Sequence, residues 1–376
     1  MSALSSSERI AVDWLREGRR VVNAALVDRI GSAPLDPGAQ MLIDDRGNIE
    51  GSVTGGCVEA ALVDEAQQIL AGGDPRVVTY GVSDEEALDV GLMCGGTVRV
   101  FVHEYADEAL DPLGAVAEAR ATDRPVATAT LLDTDGAGMQ IAILEDRMVG
   151  SLGVTDLLDH SVERDARGQL DEGVSRIRRY GVGGEVMGSE LAVYIQAFAT
   201  PPRMVIFGAI DFSAAMASVA SDIGYKVTIC DAREPFAKSP RFSENAEVVV
   251  DWPDRYLEGQ KLGPRDVILV FTHDPKFDEP ALSAALASGA GYIGALGSRR
   301  TQERRAERLC EGGLGEESIA SIHAPCGLDV GARTPSETAV SILAEVIAVR
   351  TGRTGESLRK TTGPIHPETA ANADAV

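Results

Sequence analysis

Met204-Val205-Ile206-Phe207-Gly208-Ala209-Ile210-Asp211-Phe212-Ser213 is an apolar run that stops at a glycine and turns into a helical pattern. Four consecutive apolar residues bounded by a glycine fit a buried strand. The helical pattern reaches Ile223, and Gly224 is a natural stop. Further strand candidates follow at Lys226–Cys230, Glu247–Val250, Val267–Phe271, Tyr292–Leu296 and Ser321–His323. Helical patterns at Glu279–Ser288, Arg299–Cys310 and Pro335–Val349 separate most of them. Strands alternating with helices predict a parallel, doubly wound sheet. The last helix opens Thr334-Pro335-Ser336-Glu337, a capping box with proline at the first helical position.

This pattern makes residues 201–353 a Rossmann-like α/β domain, with Pro201-Pro202 at its boundary. Residues 354–376 are rich in Thr, Gly and Ala and read as a disordered tail. A dinucleotide site would show Gly-x-Gly-x-x-Gly at the first turn. Gly208 suits the tight turn, and Ser213 is small enough for helix packing. Ile210 stands where the second glycine belongs, and Asp211 would repel a phosphate. Asp231, at the end of the second strand, is where a ribose-binding acid belongs. NAD(P) binding is therefore not expected. Gly294-Ala295-Leu296-Gly297-Ser298-Arg299-Arg300 follows a strand and opens a helix. Free N–H groups, a hydroxyl and two guanidiniums there suit a phosphate cradle. The bland alternative is a solvated basic helix start, since Arg304, Arg305 and Arg308 follow. His273, in Thr272-His273-Asp274, ends the fourth strand at the edge where ligands of such sheets bind. It reads as a ligand contact or proton carrier, against a structural role. Neither a zinc-binding His/Glu spacing nor a Gly-x-Ser-x-Gly elbow occurs.

Residues 1–200 read as an α+β domain. Its centre is Gly51-Ser52-Val53-Thr54-Gly55-Gly56-Cys57-Val58-Glu59, between a strand-like Gln40–Asp44 with its polar turn and a helix-like Val58–Leu70. Gly55 and Gly56 place Cys57 at a loop-to-helix junction. Unpaired helix-start amides favour negative charge, so a thiolate there would be a better nucleophile or metal ligand. The alternative is an inert cysteine beside a glycine turn. A second glycine-flanked cysteine, Cys94-Gly95-Gly96, follows a capping-box pattern at Ser83–Glu86. Ser7 is expected to cap a helix to about Glu17, and Arg20–Asp28 to form a buried strand broken at Gly31-Ser32-Ala33-Pro34. Strands are expected at Arg76–Tyr80, Val98–His103, Ala127–Leu132, Met139–Leu144 and Leu191–Phe198. Pro112–Thr122 reads as a surface helix. Thr155 is expected to cap a helix to about Arg167, and Arg176–Gly188 reads as a polar, glycine-rich stretch.

The chain has 376 residues, 44% hydrophobic, enough for two domains with real cores. Its formal net charge of -23 argues against a nucleic-acid partner. No apolar run approaches the ~20 residues needed to span a bilayer, and the first residues lack a signal-peptide core. Five cysteines without tight spacing form no disulfide framework. These features fit a cytoplasmic protein with reduced thiols.

Gly31-Ser32-Ala33-Pro34, Gly51 to Glu59 and Cys94-Gly95-Gly96 together resemble the XdhC/CoxI family. Thr272-His273-Asp274, Ile293-Gly294, Leu296-Gly297-Ser298-Arg299, Gly327-Leu328-Asp329 and Thr334-Pro335-Ser336-Glu337 are similar to its C-terminal half. The resemblance spans nearly the whole chain, in order. It implies an accessory protein of molybdenum hydroxylases such as xanthine dehydrogenase. Such a chaperone binds the molybdenum cofactor, as molybdopterin or its dinucleotide form, protects its sulfurated state and hands it to the apoenzyme. It implies a carrier more than a catalyst. A cysteine desulfurase is a second implied partner, and a homodimer is compatible with it. The pterin phosphate would rest on Gly297, Ser298 and Arg299. Cys57, with Cys94, would face the molybdenum or its terminal sulfur. The family commonly has Arg where Leu35 and Gln40 stand, and Gly and His where Ile210 and Asp211 stand. The alternative from another class is an NAD(P)-dependent oxidoreductase using the same nucleotide-binding fold.

Overall fold

The computed structural model describes residues 6–31, 34–81, 96–134, 136–242 and 245–362. The chain divides into two compact units that part at Thr200/Pro201. In the first, α1 (Ser7–Arg16) is capped by Ser6, one residue before the expected cap, whose hydroxyl accepts the Arg9 N–H. Then come β1 (Val21–Ile30), β2 (Gln40–Asp44), β3 (Ile49–Gly51), α2 (Glu59–Leu70), β4 (Arg76–Tyr80) and β5 (Thr97–Glu104). α3 (Leu110–Ala121) joins these to β6 (Val126–Leu131), β7 (Gln140–Leu144), β8 (Met148–Gly150), α4 (Asp156–Glu172), β9 (Arg176–Tyr180) and β10 (Leu191–Phe198). β3, β8 and β9 were not expected from the sequence. The expected surface helix is also different: α3 buries Leu113, Val116 and Ala119 against α1 and the second sheet.

The two halves of this unit repeat one another. The sheet orders are β3-β2-β1-β5-β4 and β8-β7-β6-β10-β9, with every neighbouring pair antiparallel. Each sheet carries one helix, α2 or α4, between its third and fourth strands. Register makes the correspondence residue by residue. Gln40 faces Ala25 as Gln140 faces Thr130. Phe101 faces Ala25 as Tyr194 faces Thr130, and His103 faces Asn23 as Gln196 faces Thr128. Each helix covers the outer face of its own sheet: Leu62, Ala66 and Ile69 on the first, Leu158, Val162 and Ala166 on the second. The inner faces meet through Ala25, Val27 and Phe101 against Leu132, Ile177 and Ala192.

The second unit is a parallel sheet, β11 (Arg203–Phe207), β12 (Lys226–Cys230), β13 (Glu247–Val249), β14 (Val267–Val270) and β15 (Tyr292–Ala295). Its order is β13-β12-β11-β14-β15, and His323 adds a parallel bridge to Gly294 beyond β15. The connections are α5 (Asp211–Asp222), α6 (Glu234–Ala237), α7 (Pro253–Glu258), α8 (Pro275–Leu286), α9 (Arg299–Glu311), α10 (Glu316–Ala320) and α11 (Pro335–Thr351). α5 and α11 bury Met216, Ala220, Ile342 and Val346 on one face. α7, α8 and α9 bury Leu257, Leu282 and Leu309 on the other. This is the expected Rossmann-like α/β arrangement, with its strand order reversing between β11 and β14. The Thr334/Glu337 capping box forms as read, and Ser321–His323 contributes a single bridge where a strand was expected. Residues 354–362, read as tail, include a 3₁₀ turn at Leu358–Lys360, while 363–376 lie outside the described residues.

His103 is fully buried, stacked on Phe101 and edge-on to Tyr105. Burial pushes its pKa down to about 4, against a hydrogen bond to the Glu104 carbonyl that raises it. An unfolded histidine titrates near ~6.5. Between those values only the unfolded chain takes up the proton, so stability falls as pH drops through that window, by up to about 3 kcal/mol. Glutamine already fills the equivalent position, Gln196. His103→Gln should therefore remove this increment: urea unfolding at pH 7 and pH 4 should show a smaller pH loss in the variant than in the parent.

Candidate functional site

The Cys57 loop is held by one carboxylate. Glu59, in the first turn of α2, folds back over the loop that precedes it. Its Oε1 accepts from the Ser52 hydroxyl and the N–H groups of Val53 and Thr54, the last at 2.8 Å. Its Oε2 accepts from the Thr54 hydroxyl and the N–H groups of Gly56 and Val58, at 2.8–3.1 Å. The Ser52 hydroxyl takes the Gly55 N–H, and the Thr54 hydroxyl takes that of Cys57. Burial opposes the charge on Glu59, but the Ser52 and Thr54 donors outweigh it and hold the carboxyl down to about 2. The loop amides from Val53 to Val58 are satisfied by Glu59 and two hydroxyls, and α2 itself starts without a side-chain cap. The Cys57 side chain is half-buried against the first sheet's core. Cys94, Gly95 and the Ser83–Glu86 pattern lie outside the described residues.

The second repeat uses the same device. Asp159 of α4 accepts from the Ser151 hydroxyl at 2.7 Å and the Leu152 N–H at 3.1 Å. The Ser151 hydroxyl takes the Gly153 N–H. Gly51-Ser52 and Gly150-Ser151 begin the two loops, and both positions require glycine, because φ is positive and a Cβ would strike the carbonyl of Gln40 or Gln140. In the sequence, Glu59 is only the last residue of the glycine motif, with no role of its own. The signal for that role is a pair of Gly-Ser steps, each followed by a carboxylate eight or nine residues after the glycine.

At the carboxyl edge of the parallel sheet, Gly208 has φ +111°, and a Cβ there would lie 2.9 Å from the Thr272 Cγ2. The neighbouring strand end thus demands this glycine without any ligand. Asp231 is buried and already engaged: Oδ2 accepts the Ala209 N–H at 2.8 Å and Arg233 Nη2 at 2.7 Å, and Oδ1 accepts Arg233 Nε at 2.9 Å. Burial raises its pKa, but these donors hold the carboxyl below its ordinary range. The Ile210 side chain turns onto the core, and Asp211 pairs with Arg241 at 2.6 Å. Neither matches its expected part as a bulky block and an unbalanced charge facing a pyrophosphate.

His273 is exposed in the β14–α8 loop, beside Asp274, which caps α8. Ser298 caps α9, its hydroxyl accepting the Thr301 N–H at 3.2 Å, and Arg299 and Arg300 are exposed in the first turn. Arg305 is not part of a solvated basic face. It is buried in an ion pair with Asp278 at 2.7 Å. Both of its terminal nitrogens donate to the Leu296 carbonyl at 3.2 Å, and Asp278 accepts the Thr272 hydroxyl. Thr272 precedes His273, and Leu296 precedes Gly297. One buried pair therefore joins the two candidate ligand loops of this unit. Among the described residues no group of three or more His, Cys, Asp or Glu could hold a metal ion. Among the same residues no helix is long and apolar enough to cross a membrane.

Comparison with known proteins matches the XdhC Rossmann domain to residues 204–346 and the XdhC and CoxI family to residues 14–81. A Bacillus subtilis protein described as a probable xanthine dehydrogenase subunit is 26% identical over 341 residues, covering 89% of this chain and 95% of that protein. The "Molybdenum cofactor insertion chaperone PaoD" of Escherichia coli is 28% identical over 342 residues, covering 91% of this chain and 87% of that one. A crystal structure described as a xanthine dehydrogenase from Bacillus halodurans superposes with a TM-score of 0.61 and 25% identity. The match covers 94% of this chain and 98% of that one.

Because Glu59 is charged in the folded loop down to about pH 2, its hydrogen bonds contribute stability that is fully present above its ordinary pKa of ~4.3 and fades below it. Glu59→Gln should cost about 1.5–3 kcal/mol at pH 7, as for bonds to a charged group. The gap from the parent should narrow as pH falls toward 2 in denaturant titrations. The same change should speed alkylation of Cys57, whereas Asp159→Asn, in the other repeat, should leave that rate unchanged.

Proposed function

Because the chain belongs to the XdhC and CoxI family, we propose that it binds the molybdenum cofactor and delivers it to an apo molybdenum hydroxylase of the xanthine dehydrogenase type. The observation that carries this reading is the end-to-end similarity to a molybdenum cofactor insertion chaperone. The cofactor is cargo here, and the residues present suit its chemistry. Cys57 offers a soft thiol, on a loop fixed by Glu59, to the molybdenum or its terminal sulfur. Ser298, Arg299 and the start of α9 offer hydrogen-bond donors and positive charge to a pterin phosphate. His273 lies at the same carboxyl edge, where it is free to contact a ligand. Protection and transfer of the sulfurated form belong to this same reading, with a cysteine desulfurase as the sulfur source. Nicotinamide oxidoreduction is the weaker reading, since the Asp231 carboxylate is bonded to Ala209 and Arg233 and not free for a ribose hydroxyl.

The test is to purify the protein from cells that make the cofactor and to assay bound pterin and molybdenum. Cys57→Ala should leave the circular dichroism and melting curve intact and lower the bound molybdenum. Unchanged stoichiometry in a folded variant would remove Cys57 from the site.

Arg299→Ala should weaken binding of the phosphate-bearing pterin roughly ten- to a hundredfold, the loss expected for a charge-assisted bond of about 1.5–3 kcal/mol. Arg300→Ala should do much less, because it points about 100° further round the helix. Equal, small effects would make the pair a solvated helix start.

A further inference from the structure

Between the two sheets of the first unit, packing changes from apolar to polar. Asn23, Gln40, His103, Thr128, Gln140 and Gln196 line an enclosed space there. Three side-chain oxygens, Asn23 Oδ1, Gln40 Oε1 and Gln140 Oε1, are buried without a hydrogen-bond partner among the described residues. Gln196 Oε1 can only accept, which fixes the orientation of the Gln40 amide, whereas the Thr130 hydroxyl could serve Gln140 as acceptor or donor. Gln40 Nε2 donates to Gln196 Oε1 at 3.0 Å, and Gln140 Nε2 donates to Thr130 Oγ1 at 3.1 Å. The Tyr194 hydroxyl, in the same lining, is a fourth buried polar group without a hydrogen-bond partner among the described residues.

Gln40 and Gln140 are equivalent residues of the two repeats. The same unpaired oxygen thus arises twice, once from each half. A buried acceptor left without a donor costs free energy comparable to a lost hydrogen bond. The packing leaves about 10 Å³ for the centre of a water molecule, close to what one water occupies. Charge does not favour an ion: the nearby Glu8 carboxylate is already paired with Arg120, and burial keeps His103 neutral at pH 7.

We propose that this space is a built hydration site, holding one ordered water that donates to two of the three amide oxygens. Its own oxygen is then available to the Thr128 or Thr130 hydroxyl, both of which line the space. The water acts as an internal bridge between the repeats where their inner faces cannot meet through apolar side chains.

A high-resolution crystal structure of the full chain, together with magnetic relaxation dispersion in solution, tests this. The expected result is one well-ordered peak about 2.7–3.2 Å from at least two of the three oxygens, and a long-lived internal water in solution. The double variant Gln40→Met/Gln140→Met should lose that peak and one long-lived water while keeping its fold. A dry cavity in the parent protein would overturn the proposal. So would a cation with several oxygens at about 2.3–2.6 Å, or a peak that persists in the folded double variant. The parent measurement decides the matter even if the double variant fails to fold.

Discussion

The first unit depends on a carboxylate that reaches back across a glycine loop. Such a loop is entropically costly to order, and its amides point inward, where each needs an acceptor. Glu59 satisfies four backbone N–H groups and two hydroxyls with two oxygens. The cost of burying its charge is offset by the number of donors, which is why its pKa falls instead of rising. The strand before the loop and the helix after it are thereby locked in one relation. Whatever side chain the loop carries at position 57 inherits that fixed position.

The second unit solves a similar problem with a buried ion pair. Arg305 and Asp278 are each 2% exposed, an arrangement that is costly unless other bonds complete it. Most of those bonds are present: Thr272, Gln302 and the Leu296 carbonyl engage the carboxylate and both terminal guanidinium nitrogens, and only Arg305 Nε is left without a partner among the described residues. All of them lie at the carboxyl ends of β14 and β15. A well-packed apolar pair would hold α8 and α9 together at least as well. What the ion pair adds is directional control over Thr272 and Leu296, the residues that lead into His273 and Gly297. The polar network thus has a physical reason to sit beneath the edge where a doubly wound sheet binds ligands.

Much of the second unit was legible in the sequence, because continuous apolar strands, glycine stops and the Thr334–Glu337 capping box are local signals. The fate of Arg305 was not. Asp278 is 27 residues away, and only the sheet brings the two together. The first unit hid its repeat for a different reason. The halves share backbone demands more than side chains: Ala24–Asp28 answers Ala129–Asp133, and Arg76 to Gly81 answers Arg176 to Gly181, with many substitutions between them. β9 looked like a polar loop because its arginines alternate with Ile177 and Tyr180 and find partners in Glu172 and Asp165. α3 looked like a surface helix because alanines carry much of its buried face.

The repeat also separates what the fold needs from what function could use. Both loops keep the Gly-Ser start and the returning carboxylate, so those residues are required by the architecture. Gly55, Gly56 and Cys57 have no such counterpart: the second loop reads Leu152-Gly153-Val154-Thr155 before its helix. Thr155 there caps its helix by the ordinary route, accepting the Leu158 N–H. In the first loop Val58 stands at the cap with no side chain that could accept a hydrogen bond, and α2 starts without a side-chain cap, because Glu59 accepts from the loop that precedes it. The second repeat closes its turn with an ordinary threonine cap and without a glycine pair or a thiol. The feature that the architecture does not require is the thiol on its glycine-flanked perch, and that asymmetry between two otherwise matching halves is the strongest structural reason to look for chemistry at Cys57.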